Sequence, residues 1–277
     1  MGLRIATNVQ SLSAQRFLNQ NDRAQKHELE KLASGTRITS AADDAAGLAI
    51  SDQLRSDIRS MKQAIRNAED GLSLVQVTEG GMNEVSNILV RLKELSIQGA
   101  SDTISDKERG FIDKEVQQLK NEVNRIANIT EFNGIKLLNG QGEKLEIQVG
   151  IHNSPPNDRF IFEVKDRSVT TEALGIGNVQ ITSKQTAQNN LNTLDDALSK
   201  LNEQRSYVGA LQNRLSSTIN NLNIYKENLS TANSRIRDTD IAETSSELVK
   251  RNILSQAAVS VLAQANATPQ LALKLLG

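Results

Sequence analysis

The sequence predicts a mainly α-helical fold, in which long antiparallel helices pack as a coiled-coil-like bundle with a small β-hairpin. Apolar side chains recur at steps of three and four over three long stretches, which is the spacing of one helix face. Aromatic residues make up only 3% of the 277 residues, and Trp is absent. Apolar content of this kind, mostly Ala, Leu, Ile and Val, suits narrow helix–helix seams better than a wide globular core.

The first stretch predicts one helix from about Asp44 to Gly99. Its seam is formed by Leu54, Ile58, Met61, Ile65, Ala68, Leu72, Val75, Met82, Val85, Leu89, Leu92 and Leu95. Such a helix is about 80 Å long, far longer than an average globular helix. Glu79 places a charge inside the seam, and Gly71, Gly80 and Gly81 are positions at which the helix could bend.

Two further helices follow the same spacing. One is predicted from an N-cap at Ser105, with Glu108 as its capping-box partner, to about Asn128. The other runs from about Thr186 to Arg237. Their seams are Ile112, Val116, Leu119, Val123 and Ile126 in the first, and Leu191, Leu194, Leu198, Leu201, Val208, Leu211, Leu215, Ile219, Leu222, Leu229, Ala232 and Ile236 in the second. Matched seams favour a bundle with shallow crossing angles.

The middle of the chain carries a different pattern. Apolar residues alternate with polar ones at Leu145, Ile147, Val149, Phe160, Phe162 and Val164. Because this period of two surrounds a turn at 153–158, it predicts a β-hairpin near 143–165. The stretch from about 165 to 183 is predicted to be irregular or weakly extended.

Both ends of the chain are too thinly apolar to fold stably alone. Residues 252–273 contain no charged side chain, and their apolar stripe includes Ile253, Leu254, Val261 and Leu262. A fainter pattern near the N-terminus consists of Ile5, Val9, Leu12, Leu29 and Leu32. We therefore expect the two ends to pack against each other and against other copies of the chain. No apolar run is long enough to predict a membrane span, and residues 1–20 lack the pattern of a cleavable secretory signal.

Composition and motifs argue against an enzyme. The net charge is −1, so no attraction to nucleic acid follows. The chain has no Cys and only two histidines, His27 and His152, which are not at metal-ligand spacing. Phosphate-binding, dinucleotide-binding and serine-hydrolase motifs are absent from the sequence. We expect no catalytic residues, no cofactor and no metal.

Four motifs resemble those of bacterial flagellins. Residues 34–51 (SGTRITSAADDAAGLAIS) are similar to the N-terminal signature of that family, and residues 131–138 (EFNGIKLL) to a segment after its second helix. Residues 237–243 (RDTDIAE) and 261–270 (VLAQANATPQ) resemble its C-terminal signature. The resemblance covers about 1–165 and 185–277.

The sequence departs from the family pattern in several places. The opening residues 1–6 are not its commonest start, and Asn252, Ala267 and Gly277 stand where other residues are usual. Many members carry variable outer domains between the hairpin and the C-terminal helix, where this chain has about twenty residues. The sequence thus resembles a minimal flagellin with only inner and middle layers.

The resemblance implies a domain layout and a function. Residues 1–42 and 238–277 would form a discontinuous inner-core helical domain whose helices pair in the assembled filament. Residues 43–237 would form the helical bundle, without an outer variable domain. The chain would polymerise into the extracellular flagellar filament for swimming motility. Its expected partners are copies of itself, a flagellar export chaperone, the type III export apparatus, the filament cap and hook-junction proteins, with no nucleic acid and no membrane span.

Candidate self-assembly residues lie near the two ends. Asp43 and Asp44 either cap the helix that follows them, where carboxylates suit the helix dipole, or form inter-subunit salt bridges with Arg37 or Arg237. The apolar candidates are Ile253, Leu254, Val261 and Leu262. The resemblance also implies that an innate immune receptor, Toll-like receptor 5, contacts the middle layer. The matching positions are Arg91, Leu95 and Glu115.

Two other functions remain open from the sequence. A hook–filament junction protein would share the terminal motifs but would form a ring of limited copy number. A secreted adhesin or effector would be a stable soluble monomer with protease-resistant ends. Electron microscopy of the purified protein distinguishes the first alternative, and limited proteolysis of the monomer distinguishes the second.

Overall fold

A computed structural model of the chain describes residues 7–276, with side chains described up to residue 268. The expected apolar position Ile5 lies outside the described residues. In chain order the elements are α1 Val9–Ser34, α2 Ala45–Gly99, α3 Asp106–Ile129, β1 Glu131–Phe132, β2 Ile135–Lys136, β3 Lys144–Gln148, α4 Pro155–Asp158, β4 Arg159–Glu163, α5 Lys184–Arg237 and α6 Ile241–Leu276. The predicted mainly α-helical fold is confirmed.

The chain divides into two compact units. The terminal unit comprises residues 1–58 and 228–277, and the central unit comprises residues 59–227. Helices α2 and α5 contribute residues to both. The domain limits expected from the sequence, 1–42 with 238–277 and 43–237, stay a prediction.

The predicted seams form the core of the central unit. Buried seam side chains are Ala68, Val75, Met82, Val85, Leu89, Leu92 and Leu95 of α2, Val116, Val123 and Ile126 of α3, and Leu194, Leu201, Val208, Leu211 and Leu215 of α5. The charged seam position is matched across the interface, because Arg205 donates to Glu79 from Nε at 3.0 Å and from Nη2 at 2.7 Å. An opposite charge on α5 thus explains how the seam accommodates Glu79.

The turn between α2 and α3 is fixed by polar side chains. Ser105 and Glu108 form the predicted capping box, in which each side chain satisfies a backbone N–H of the other. Arg109 is 6% exposed. Its guanidinium donates to the carbonyl oxygens of Gly99 and Ser101, each at 2.8 Å, which closes the turn.

The predicted hairpin is present as β3 and β4, with Leu145 opposite Phe162. The turn expected between them contains a single helical turn, α4, since Pro155 pre-sets the backbone angle at its first position. Gly71 of α2 lies under the hairpin. A Cβ at Gly71 would meet Ile147 Cδ1 at 2.7 Å, so the glycine permits close approach here.

The segment 168–183, which we call the strap, belongs to the core. The stretch expected to be irregular or weakly extended starts with a short 3₁₀ helix, Lys165–Arg167, and is irregular over 168–183. Within it, Val169, Leu174, Ile176, Val179 and Ile181 are buried. Polar residues of α3 hold its backbone. Asp113 accepts from the Ile181 N–H at 2.7 Å, Asn124 accepts from the Thr171 N–H at 3.0 Å, and Lys120 donates to the Gly177 carbonyl at 2.6 Å.

Candidate self-assembly surface of the terminal helices

Helices α1 and α6 pair antiparallel within the terminal unit. Asn8 donates to the carbonyl oxygen of Ala265 at 2.7 Å, and Asn21 donates to that of Arg251 at 2.8 Å. Near the middle of the pair, Gln25 donates to Asn252 at 2.7 Å. Uncharged amides therefore hold the two helices in register.

Where its side chains are described, at residues 9–34 and 241–268, this pair buries few apolar groups. In the described part of the terminal unit, the buried apolar side chains are Ala14, Ile38 and Ala265. The small Ala14 and Ala265 let the helices approach closely but bury little surface. Larger apolar side chains remain exposed: Val9, Leu12, Phe17 and Leu29 on α1, and Ile241, Val249, Ile253, Leu254, Val259 and Val261 on α6. We call this set the apolar surface.

Three of the predicted apolar candidates belong to the apolar surface. Ile253 is 61% exposed, Leu254 44% and Val261 59%, whereas Leu262 is half-buried. Ten large apolar side chains exposed on one helix pair favour an interaction site over singly scattered surface residues. Their role in self-assembly stays a prediction.

A loop of residues 35–44 connects α1 to α2 and is tied to the α5–α6 junction. Gly35 adopts a left-handed conformation with φ 68°, which a glycine accepts without strain. The Arg37 N–H donates to the Arg237 carbonyl at 2.6 Å, and the Thr239 N–H donates to the Gly35 carbonyl at 3.1 Å. The Arg37 guanidinium adds a bond to the Ile236 carbonyl at 2.7 Å.

Asp43 organises this loop. Its Oδ2 accepts from the N–H groups of Thr39 and Ser40, each at 2.9 Å, and its Oδ1 lies 3.0 Å from His27 Nε2. The Ser40 backbone N–H, the Thr39 hydroxyl and backbone N–H, and His27 hold the pKa of this carboxyl well below its ordinary value. These partners were missed from the sequence, although an Asp three or four residues after Ser and Thr is a signal for such a turn.

Asp44 caps α2, since its Oδ1 accepts from the Gly47 N–H at 2.8 Å. Arg237 instead pairs with Asp52 at 2.9 Å. Thus neither Arg37 nor Arg237 pairs with Asp43 or Asp44 within the chain, and the expected inter-subunit salt bridge stays a prediction.

The candidate receptor positions lie in the central unit. Arg91 pairs with Glu94 at 3.1 Å and with Glu115 at 3.0 Å. The hydrogen bonds to these two carboxylates raise the pKa of Arg91, and Glu94 contributes most. Leu95 is 2% exposed, so a partner can contact Arg91 and Glu115 directly, whereas Leu95 can only support the surface from beneath.

Within the described residues, no cluster of three or more His, Asp or Glu is placed to hold a metal ion. Over the same part of the chain, no helix has the length and apolarity needed to cross a membrane.

Long helices, a terminal pair with few buried apolar side chains among those described, and an exposed apolar surface are typical of a helical structural protein. The model of the bacterial flagellin N-terminal helical region matches residues 5–143, and that of the C-terminal helical region matches residues 191–276. The chain therefore belongs to the bacterial flagellin family, a family of structural proteins.

Individual relatives agree over nearly the whole chain. A flagellin of Halalkalibacterium halodurans is 42% identical over 269 residues, which cover 97% of this chain and 98% of the relative. The flagellar filament 31.3 kDa core protein of Treponema maltophilum is 39% identical over 280 residues, with the same coverage of 97% and 98%. The crystal structure of Bacillus cereus flagellin is similar with a TM-score of 0.51 and 31% identity, over 57% of this chain and 88% of that one.

Proposed function

We propose that this chain is a structural subunit that polymerises into the bacterial flagellar filament used for swimming. The observation that carries the proposal is the apolar surface on a helix pair whose described side chains form almost no core of their own. Fully burying one Val, Leu, Ile or Phe side chain contributes about 1.5–3 kcal/mol. Covering several of them by neighbouring copies therefore drives assembly strongly.

The proposal includes the domain limits and the inter-subunit contacts. Residues 1–42 and 238–277 form the inner layer, and residues 43–237 the middle layer. Ile253, Leu254, Val261 and Leu262 pack against other copies. Asp43, Asp44 and Arg37 in the loop 35–44, with Arg237 at the end of α5, form salt bridges between copies. Limited proteolysis of the monomer tests the limits: rapid loss of about forty residues from each end supports them, and resistant ends contradict them.

Purified protein polymerised in vitro and viewed by electron microscopy tests the function. Long helical filaments are expected. A ring of limited copy number would instead support a hook–filament junction protein, and a stable monomer under all polymerising conditions would support an adhesin or effector.

Export forms a second part of the proposal. The chain acts outside the cell as a non-enzymatic subunit, and it reaches that place unfolded through the type III export apparatus, with an export chaperone, a filament cap and hook-junction proteins as partners. The stretch 252–273 carries no charge, which favours passage along a narrow channel. Lys at both Gln256 and Gln264 should cripple assembly, and normal filaments from that variant would contradict this role.

The third part concerns Toll-like receptor 5. Arg91 and Glu115 are exposed and paired, so they form a surface that a receptor can read. Binding of the monomer to the receptor ectodomain is expected, and Arg91→Ala with Glu115→Ala should weaken it. Lys107→Glu with Lys62→Glu is a control at exposed positions elsewhere in the central unit. Equal binding by the parent chain, the alanine double variant and the control variant would contradict this contact.

A further inference from the structure

The stretch of α2 between Arg66 and Arg91 carries negative charge on its outward side. Residues 67–90 contain four carboxylates and no Lys or Arg, and one of the four, Glu79, is already paired with Arg205 in the seam. Asp70 and Glu84 are exposed, and in the described chain neither forms an ion pair within 4.0 Å. Val77, 39% exposed, lies midway between them.

Seven-residue steps place Asp70, Val77 and Glu84 on one side of the helix. Each step of seven residues is nearly two full turns, so the three side chains form a line about 21 Å long. We call this line the acidic stripe. Gly80 beside it leaves open space, since an added Cβ would meet no atom within 4 Å, and a partner helix can approach closely there.

Helix α5 carries a stripe of opposite charge with the same spacing. Lys200, Tyr207 and Arg214 also follow one another at steps of seven, with an exposed aromatic ring between two exposed cations. Their line is again about 21 Å long. We call it the basic stripe.

The cations of the basic stripe have no carboxylate partner within the described chain. Neither Lys200 nor Arg214 forms an ion pair within 4.0 Å, although Asp196 and Glu203 lie on the same side of α5. Arg214 lies 4.7 Å over the ring of Phe160, which orients its guanidinium without neutralising it.

Tyr207 carries one further cation, because Arg167 stacks on its ring at 3.7 Å. Arg and Tyr are the residue types enriched at the energetic centres of protein interfaces. With Arg167, the basic stripe carries three cations against the two carboxylates on its side of α5, and it has the composition of a docking surface.

We propose that the basic stripe of one copy docks against the acidic stripe of the next copy in the polymer. This contact rests on the proposed function, since a head-to-tail polymer joins two different surfaces of the same chain. Both stripes place an apolar or aromatic side chain between two like charges at equal spacing. Asp70 and Glu84 thus match Lys200 and Arg214, with Val77 against Tyr207.

Charge reversal tests the contact. Lys200→Glu with Arg214→Glu makes both stripes acidic, and Asp70→Lys with Glu84→Lys makes both basic. At low ionic strength each double variant should raise the critical concentration for polymerisation by at least about tenfold, because like charges across an interface repel.

The decisive comparison is the fourfold variant, which combines all four substitutions in one chain. It exchanges the signs of the two stripes and so restores attraction between copies, and its critical concentration should return to within about threefold of the parent. An equimolar mixture of the two double variants should also copolymerise, since each supplies the stripe that the other needs.

Lys62→Glu with Lys107→Glu is the matched control, because both lysines are exposed and lie outside the stripes. Circular dichroism of each monomer verifies that the helices have formed. Double variants that polymerise like the parent, or a fourfold variant that is no better than either double variant, would overturn the proposal. A parent chain that forms no filaments would instead contradict the proposed function.

Discussion

Truncating Ile181 to Ala should destabilise the central unit strongly. This strap residue is 0% exposed, and its Cγ2 lies against Gly99, where an added Cβ would sit 2.5 Å away. Replacing a fully buried Ile by Ala costs about 2–5 kcal/mol, because the core loses transfer energy and keeps a cavity. A domain of 150–250 residues loses about 2–4 °C of melting temperature per kcal/mol, so a loss near 3 kcal/mol lowers it by about 6–12 °C.

Tyrosine fluorescence during thermal unfolding of the monomer measures this change. The chain has no Trp and two Tyr residues, Tyr207 and Tyr225, and both lie in the central unit. Ile224→Ala is the matched control, because Ile224 is 58% exposed and its truncation should change stability by no more than about 0.5 kcal/mol. Equal melting temperatures for the two variants would refute the assignment of the strap to the core.

Three further outcomes follow from the polar contacts. Replacing Glu79 or Arg205 alone by Leu leaves its half-buried partner unpaired. The free energy of unfolding lost in the double variant, measured in urea, should therefore be about 1–2 kcal/mol smaller than the sum of the two single losses. Additive losses would contradict the pairing. Because the pKa of Asp43 lies below its ordinary value of 3.8, its stabilisation is complete above that pH and is lost as the pH falls through the folded value. The protection factors of the loop amides, which are corrected for the intrinsic pH dependence of exchange, should therefore fall in acid, and Asp43→Asn should remove that fall. Protection factors with the same pH profile in both proteins would contradict the role of the carboxylate. Ser105→Ala should cost about 1 kcal/mol by thermal unfolding, through loss of the N-cap, and no change would mean that the capping box contributes nothing.

Helices α2, α3 and α5 were predictable because the sequence of each one contains the apolar spacing of its own seam. In α2 the apolar residues recur at steps of three and four, and the observed start at Ala45 lies one residue from the predicted Asp44. Helix α5 begins at Lys184, two residues before the predicted Thr186. Local capping was equally legible, since Ser105 and Glu108 stand at the spacing that a capping box requires.

The strap and the loop 35–44 were not predictable in the same way. The strap has no period, and its burial depends on α3 side chains more than forty residues away, such as Asp113 and Asn124. The loop is held to residues about two hundred positions along the chain. Contacts of this kind join residues that are far apart in the sequence and form only on folding, so no local sequence pattern predicts them.

The candidate assembly surface was predictable in part. The uncharged stretch 252–273 indicated an apolar stripe, and Ile253 and Val261 are indeed exposed. Leu262, in contrast, is half-buried. This difference was not predicted, because the sequence alone does not fix which side of α6 faces α1. The amides that set this rotation, Asn8 and Asn21, carried no signal beyond their polarity.

The central claim is that the apolar surface of the terminal helices is covered by other copies. A single thiol at this surface tests it directly, since the chain contains no Cys. Val261→Cys introduces that thiol where the side chain is 59% exposed, and His152→Cys is a control in an exposed loop of the central unit. The maleimide labelling rate at position 261 should fall by about two orders of magnitude when the monomer polymerises, while position 152 stays reactive. Filaments in which position 261 reacts as fast as in the monomer would contradict the account.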